Sequence, residues 1–256
     1  MRPSTRLVVL GKKLWTPAQM STALWLDAAD SSTIILNGST VSQWNDKSGN
    51  GRNATQATAA NQPVYQATGL NGRPTIGFDG TNDALLSSFS LALPATVIVV
   101  FRINAYKSFG VIYGNATTNT LGLHSSNSAL YNFDGSGTSG VRTLSTTLTT
   151  TPIMVASTWS SNQIQSHVNG GNAFTFSTSN PNFTGLVIGD ASVGSQTLNG
   201  SISEIVITSA NRQLIEGYLA WKWGLTANLP DNHPFKFNPP LVKIYEQTTM
   251  ATYSNC

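Results

Sequence analysis

The stretch PTIGFDGTNDALL, residues 74–86, decides the fold. Ile76 and Phe78 fit one piece of strand, and Leu85 with Leu86 fits a second. The segment DGTND between them (residues 79–83) is typical of a tight turn, because Asp-Gly and Asn-Asp supply positive-φ positions and side-chain-to-backbone hydrogen bonds. The stretch therefore predicts a β-hairpin, and the hairpin predicts antiparallel β-structure in the chain that follows.

Strand signals continue on the C-terminal side of this stretch and are separated by turn clusters. The run ATVIVVFRI (95–103) is the most hydrophobic and predicts a central strand covered on both faces. Shorter strands are predicted at 109–113, 121–124, 129–133, 152–159, 164–168, 173–176, 186–188 and 201–208. Since no helical periodicity separates them, they favour a two-sheet antiparallel β-sandwich over βαβ units.

One segment, NRQLIEGYLAWKWGL (211–225), has helical periodicity instead. Leu214, Tyr218 and Trp221 recur at helical spacing, and Asn211 and Gly224 are suitable caps. We expect an amphipathic helix that packs on the sandwich; a tryptophan-rich binding stripe is the alternative. The predicted organisation is a basic arm at 1–20, one domain at 21–236 and a C-terminal tail at 237–256.

The composition favours an extracellular or virion surface. Only 10% of the 256 residues are charged, against roughly 25% in average soluble proteins, and 29 Ser, 31 Thr and 23 Asn take their place. The single cysteine, Cys256, allows neither an intrachain disulfide nor a cysteine metal cluster.

The basic residues are concentrated at the N-terminus. The predicted assembly arm combines four cations with a short apolar run: Arg2, Arg6, Leu7, Val8, Val9, Leu10, Lys12 and Lys13. It suits docking on an acidic neighbouring subunit, although a solvated arm is the alternative. The apolar run is too short for a leader or a membrane span, and no aromatic-interleaved basic patch follows. We therefore expect neither membrane insertion nor nucleic-acid binding.

Several motifs in order resemble the laminin-G-like, concanavalin A-like jelly-roll family. They are FDGTNDALL (78–86), the strand VASTW (155–159) with the turn HVNG (167–170), LVIGD (186–190) and LNGSISEIVI (198–207). The flanking segments 14–34, 44–56 (WNDKSGNGRNATQ) and 215–236 resemble modules of tailed-phage structural proteins and of large bacterial surface proteins. The resemblance implies a concanavalin A-like jelly roll displayed on a virion or cell surface, and it implies no particular ligand.

The residues do not favour an enzyme. Glycoside hydrolases on this kind of sandwich need two carboxylates roughly 5–9 Å apart, and retaining members carry a Glu-x-Asp-x-x-Glu pattern. The three glutamates, Glu204, Glu216 and Glu246, form no such pattern, and the resemblance gives Glu204 a structural role. His124 and the other two histidines, His167 and His233, are isolated and lack metal-ligand spacing. No Gly-x-Ser-x-Gly elbow is present.

Calcium is the one cofactor that the sequence leaves open. Some relatives bind it at one rim of the sandwich, and Asn82, Asp83 and Asp190 are the corresponding candidates. Calcium takes six to eight oxygen ligands and these loops are poor in carboxylates, so the alternative is that these residues cap turns.

Aromatic residues are candidates for stacking on sugar rings, although most should lie in the core. They are Trp44, Tyr65, Tyr113, Tyr131 and Trp159.

The sequence thus predicts a non-enzymatic phage virion structural protein, either a capsid decoration or a fibre-associated module. We expect other virion proteins as partners, a homo-oligomer, and contact with host-surface glycans as an additional role. The alternatives are a carbohydrate-binding adhesin domain of a bacterial surface protein and a glycoside hydrolase.

Overall fold

Hydrogen-bond registers divide the strands into two antiparallel sheets. The computed structural model describes residues 5–107, 109–115, 122–126, 129–133, 141–145, 150–178, 184–190 and 196–249. The strands of the body are β2 (Leu24–Asp27), β3 (Ile34–Asn37), β4 (Thr40–Trp44), β5 (Ala54–Thr55), β6 (Val64–Leu70), β7 (Arg73–Asp79), β8 (Leu85–Ser87), β9 (Ala95–Ile103), β10 (Gly110–Gly114), β11 (Gly122–Ser126), β12 (Ala129–Phe133), β13 (Val141–Ser145), β14 (Ile153–Trp159), β15 (Gln163–Val168), β16 (Ala173–Ser177), β17 (Leu186–Ile188) and β18 (Asn199–Thr208). They are flanked by β1 (Thr5–Leu14) and β19 (Leu241–Thr249), and one helix, α1 (Arg212–Trp223), follows β18.

The first sheet has the order β6–β7–β18–β9–β14–β15–β16, and β2 pairs with β18 beside β7 on the same edge. The second sheet has the order β3–β4–β5–β8–β17–β10–β11–β12–β13. One residue pair between β4 and β6, Thr40 with Val64, links the two sheets at a margin. The predicted all-β, two-sheet antiparallel jelly roll with one helix is confirmed.

Strand β9 is buried on both faces, as predicted. Val97, Val99 and Phe101 face the core between the two sheets. Ile98 and Val100 face a second core, which lies between the first sheet and α1. Because both faces are covered, β9 is a continuous apolar run without the alternation of a half-exposed strand.

The predicted hairpin at residues 74–86 is wrong in its pairing. The two strands exist as β7 and β8, and the turn chemistry holds, since the Asp79 N–H donates to the Asp83 carboxylate at 2.9 Å and the Thr81 N–H donates to Asp79. However, β7 pairs with β6 and β18, whereas β8 pairs with β5 and β17. The turn therefore carries the chain from one sheet to the other, and Phe78 and Leu85 enter the same core from opposite sides.

Helix α1 begins and ends where the caps were predicted. Asn211 adopts φ 38° and accepts a hydrogen bond from the Leu214 N–H, and Gly224 closes the helix at φ 71°. Tyr218 and Trp223 pack in the second core, so the prediction of packing on the sandwich is confirmed. Trp221 is 37% exposed and donates its indole N–H to the Phe235 carbonyl instead of entering that core.

The two terminal arms, predicted as separate segments, lie side by side. Strands β1 and β19 form an antiparallel two-stranded sheet, here called the terminal ribbon, in which Val8 is opposite Glu246. At its base the Trp15 N–H donates to the Pro240 carbonyl at 2.8 Å, and Leu14 and Val242 pack against the second core. The predicted arm residues Arg6, Leu7, Val8, Val9 and Leu10 belong to β1, and Lys12 and Lys13 are exposed. Arg2 lies outside the described residues.

Candidate functional site

The loop between β4 and β5 is organised around the carboxylate of Asp46. One oxygen accepts hydrogen bonds from the backbone N–H groups of Trp25 (3.0 Å) and Ser48 (2.9 Å). The other accepts from the Ser48 hydroxyl (2.7 Å) and the Arg52 N–H (3.1 Å). Asn53 in turn accepts from the Asp46 N–H at 2.9 Å. Because these bonds satisfy the loop backbone, the segment WNDKSGNGRNATQ is held in one defined conformation.

Two side chains of this loop attach it to neighbouring segments. The Asn50 amide donates to the carbonyls of Thr22 (2.9 Å) and Ala23 (3.2 Å). Arg52 donates from Nη1 to the Ala23 carbonyl at 2.9 Å, and its guanidinium carbon lies 4.7 Å from the centre of the Phe89 ring. The guanidinium therefore has a fixed position between two segments that are far apart in sequence.

The segment between β8 and β9 forms the opposite wall. Phe89, Leu91 and Leu93 pack against the core between the sheets. The alternate residues Ser90 and Ala92 are exposed. The three apolar side chains therefore anchor this wall in the core, and the small residues between them face outward.

Between these walls lies an open cleft of ≈ 450 Å³, here called the Arg52 cleft. Its lining combines the residues Ser21, Thr22, Ser90 and Ser209 with the apolar Leu91 and Leu93. Among the described residues that line it, Arg52 is the one that carries a charge. Hydroxyl groups beside apolar surface match the alternating hydroxyls and C–H faces of a sugar ring.

Glu204 is completely buried and holds α1 on the sheet. One carboxylate oxygen accepts from the Trp25 indole N–H (2.7 Å) and the Tyr218 hydroxyl (2.9 Å). The other accepts from the Trp223 indole N–H (2.7 Å) and the Lys222 ammonium (2.6 Å). Burial raises the pKa of the Glu204 carboxyl, and the nearby charge of Lys222 opposes that rise. We call these five residues the Glu204 cluster. It joins α1 to the neighbouring strands β2 and β18.

Three further carboxylates, those of Asp27, Asp30 and Glu216, are committed to ion pairs within the chain. Asp27 pairs with Lys222 and with Lys47, which contacts Asp30 as well. Glu216 is buried and pairs with Arg212 and His233, while the Glu246 side chain lies outside the described residues. In the described part of the chain, no glutamate or aspartate lines the Arg52 cleft.

The calcium candidates meet at one end of a strand pair. Since Leu85 is opposite Ile188, the antiparallel register brings Asp83 and Asp190 to the same end of β8 and β17. Both are buried, and burial raises the pKa of Asp83 to about 6, while Asn82 is partly exposed. The described residues contain no group of three or more His, Cys, Asp or Glu that could hold a metal ion. The Asp83 carboxylate accepts the Asp79 N–H and so closes its turn.

Most of the aromatic residues considered for sugar stacking belong to the core. Trp44, Tyr113 and Trp159 are fully buried, and Tyr65 packs against the same core. Tyr131 stacks on His124 with ring centroids 5.3 Å apart.

The three histidines occupy separate internal sites. His124 also stacks on Phe109, and burial lowers its pKa to about 4. His167 contacts the Gly171 carbonyl at 2.8 Å, and His233 contacts Glu216.

The sequence interpretation missed Arg52 and the wall at residues 88–95. The sequence did contain a signal for an ordered loop at this point. Arg52 follows a glycine-rich turn, SGNG (residues 48–51), and Asp46 just before that turn is a residue type that accepts hydrogen bonds from turn backbones. What could not be seen was that the turn faces residues 21–23 and 88–95.

No protein-family model matches the chain, and no curated protein sequence matches it either. Among solved structures, Trypanosoma rangeli sialidase in complex with 2,3-difluoro-KDN is similar with a TM-score of 0.54 at 12% identity, over 82% of this chain and 34% of the sialidase chain. The ligand binding domain of botulinum neurotoxin serotype D in complex with N-acetylneuraminic acid has a TM-score of 0.54 at 15% identity, over 80% of this chain and 51% of that one. Domain 4 of an extracellular arabinanase from Geobacillus stearothermophilus, in complex with arabinotriose, has a TM-score of 0.51 at 12% identity, over 73% of this chain and 91% of that one.

The chain thus spans about a third of the sialidase and about half of the toxin structure. At these identities the likeness establishes the fold, a β-sandwich of the kind that these proteins share. Within the described residues, no helix is both long and apolar enough to cross a membrane.

Proposed function

We propose that this chain is a non-catalytic carbohydrate-binding module displayed on a surface, and that the Arg52 cleft is its binding site. The observation that carries the proposal is the cleft itself, where hydroxyl groups, apolar side chains and one fixed guanidinium converge between two rigid walls. A pre-formed cleft of this chemistry binds a polyhydroxylated ligand without a large cost of ordering.

The solved structures support the proposal of a carbohydrate ligand. Those named above were determined with a sialic-acid-type sugar or with arabinotriose bound. Their sandwich fold is shared with this chain, and the Arg52 cleft provides a place on that fold for a sugar.

The positions of the carboxylates support binding without hydrolysis. In most glycosidase families an acid and a second carboxylate flank the scissile bond. Glu204 and Glu216 are buried in ion pairs. Of the described residues that line the cleft, only Arg52 is charged, and a guanidinium cannot act as a general acid at neutral pH. These positions support the proposal that the protein is not an enzyme.

Filling the cleft tests the proposal. Ala92→Trp places an indole on an exposed position of the wall. We expect it to weaken saccharide binding at least tenfold. Affinities are measured by isothermal titration calorimetry with saccharides first identified on a glycan array. Ala60→Trp, on an exposed residue outside the cleft, is the matched control and should bind like the unmodified protein. If Ala92→Trp and Ala60→Trp bind the saccharide equally well, the binding site lies outside the Arg52 cleft. Turnover of a polysaccharide would favour the alternative that the protein is a glycoside hydrolase.

The terminal ribbon supports a second role, attachment within a virion. In the described part of the chain, β1 and β19 pair only with each other, so each has an open edge. A two-stranded ribbon is marginal alone, and strand addition by a neighbouring subunit would complete it. Lys12, Lys13 and Lys243 are exposed along it and suit an acidic partner. We propose that the ribbon joins this module to other virion proteins or to further copies of itself, at the virion surface; attachment to a bacterial cell surface is the alternative.

Removing residues 1–13 tests this role. We expect the shortened protein to be lost from purified particles, while its thermal unfolding midpoint stays within a few degrees, because Leu14 and Trp15 still cover the second core. Particle composition by gel and mass spectrometry, beside calorimetry of the free protein, makes the measurement. Normal incorporation would move the attachment to β19.

A further inference from the structure

The guanidinium of Arg52 has unused hydrogen-bonding capacity in the cleft. An arginine side chain carries five N–H donors in a planar fork. One donor is used by the Ala23 carbonyl. The Arg52 side chain lines the cleft with most of its donors still available for a ligand.

The positive charge of Arg52 is also unbalanced. None of the ion pairs among the described residues includes it. Asp46 accepts the backbone N–H of Arg52 rather than the guanidinium, and its two oxygens are already shared among four donors. A cation without a counter-charge in a cleft attracts an anionic group.

The guanidinium is held in place before a ligand arrives. Its contact with the Phe89 ring at 4.7 Å and its bond to the Ala23 carbonyl restrict the side chain, and Phe89 is itself packed against the core. A fixed planar fork matches the two oxygens of a carboxylate and forms two parallel hydrogen bonds with it. The hydroxyl and apolar lining then accommodates the ring that carries the carboxylate.

We propose that the Arg52 cleft selects carboxylated saccharides, such as uronic or nonulosonic acids, with the carboxylate bound by Arg52. This inference rests on the proposed function and specifies its ligand class. Because the fork can also pair bidentately with a tetrahedral oxyanion, a sulfated oligosaccharide is the competing ligand.

Paired ligands test the proposal. Binding is measured by isothermal titration with oligogalacturonate and its methyl ester, and with sialyllactose and lactose. In at least one pair we expect the acid to bind at least tenfold more tightly than its neutral counterpart. Arg52→Gln should remove that preference, so that the acid and its neutral counterpart bind with affinities within about twofold of each other.

Two variants separate charge from geometry. Arg52→Lys keeps the charge without the fork, and we expect it to lose most of the preference for the acid. Arg73→Gln removes the same charge at an exposed position outside the cleft and should change nothing. If Arg52→Gln fails to fold, which calorimetry will show, the lysine variant decides the question.

The possible outcomes distinguish this inference from the function on which it rests. Equal binding of acid and neutral sugar in every pair, still blocked by Ala92→Trp, overturns the carboxylate selectivity and keeps the carbohydrate-binding function. A sulfated oligosaccharide bound as tightly as the carboxylated one, with full retention in Arg52→Lys, also overturns it in favour of simple charge attraction. Absence of binding to any saccharide overturns both.

Discussion

Replacing Glu204 with leucine should lower the free energy of unfolding by about 4 kcal/mol, because four donors lose their acceptor at once in a buried site. The indole groups of Trp25 and Trp223, the Tyr218 hydroxyl and the Lys222 ammonium all donate to this carboxylate. The change also leaves Lys222 with Asp27 as its remaining counter-charge. Urea denaturation followed by tryptophan fluorescence measures the loss.

Matched variants show whether hydrogen bonding or volume is responsible. Glu204→Gln keeps an acceptor oxygen in nearly the same volume, and we expect it to cost less than the leucine variant. In the double variant of Glu204→Leu with Lys222→Met no ammonium is left without its carboxylate, so the loss should be smaller than the sum of the two single losses. A Glu204→Leu protein within about 1 kcal/mol of the unmodified one would show that α1 is held by apolar packing alone.

Among the described glycines with positive φ, Gly189 should be the most sensitive to substitution. We expect Gly189→Ala to lower the free energy of unfolding by about 3 kcal/mol. Gly189 follows β17 with φ +85°, and a Cβ there would lie 2.2 Å from the ring of Phe78. The variant therefore combines backbone strain with a collision in the core. Phe78 cannot move away easily, because it is 3% exposed and packed between the sheets.

Gly38→Ala is the control for the backbone part of this effect. Gly38 has φ +65°, and nothing lies within 4 Å of the position that its Cβ would take. We expect a loss of about 1 kcal/mol there, from conformation alone. Both losses are measured by urea denaturation, and equal losses at the two glycines would contradict the collision with Phe78.

Local structure could be predicted from the sequence because the pattern of a strand or a helix repeats within a few residues. The apolar run of β9 and the caps Asn211 and Gly224 were recognisable from a few neighbouring residues, and the structure confirms them. The pairing of β7 and β8 was wrong because a turn between two strands has the same residues whether it returns to the same sheet or crosses to the facing one.

The candidate site was less accessible to sequence reasoning. The Arg52 cleft is assembled from segments around residues 21–23, 48–52, 88–95 and 208–209, and no local pattern relates them. Most of the aromatic residues considered for sugar stacking lie in the core, as expected, because a sandwich of this size needs large side chains to fill it. Glu204 was assigned a structural role before its partners were known, and its four donors explain that role.

The position of β18 has a consequence for how the protein is made. This strand lies between β9 on one side and β2 with β7 on the other, yet it is synthesised after all three. While the ribosome is still adding residues before 199, the middle of the first sheet is missing, and the edges of β9 and β7 are open. Open strand edges pair readily with the edges of other chains. In the nascent chain these two edges therefore stay without their native partner until β18 has emerged.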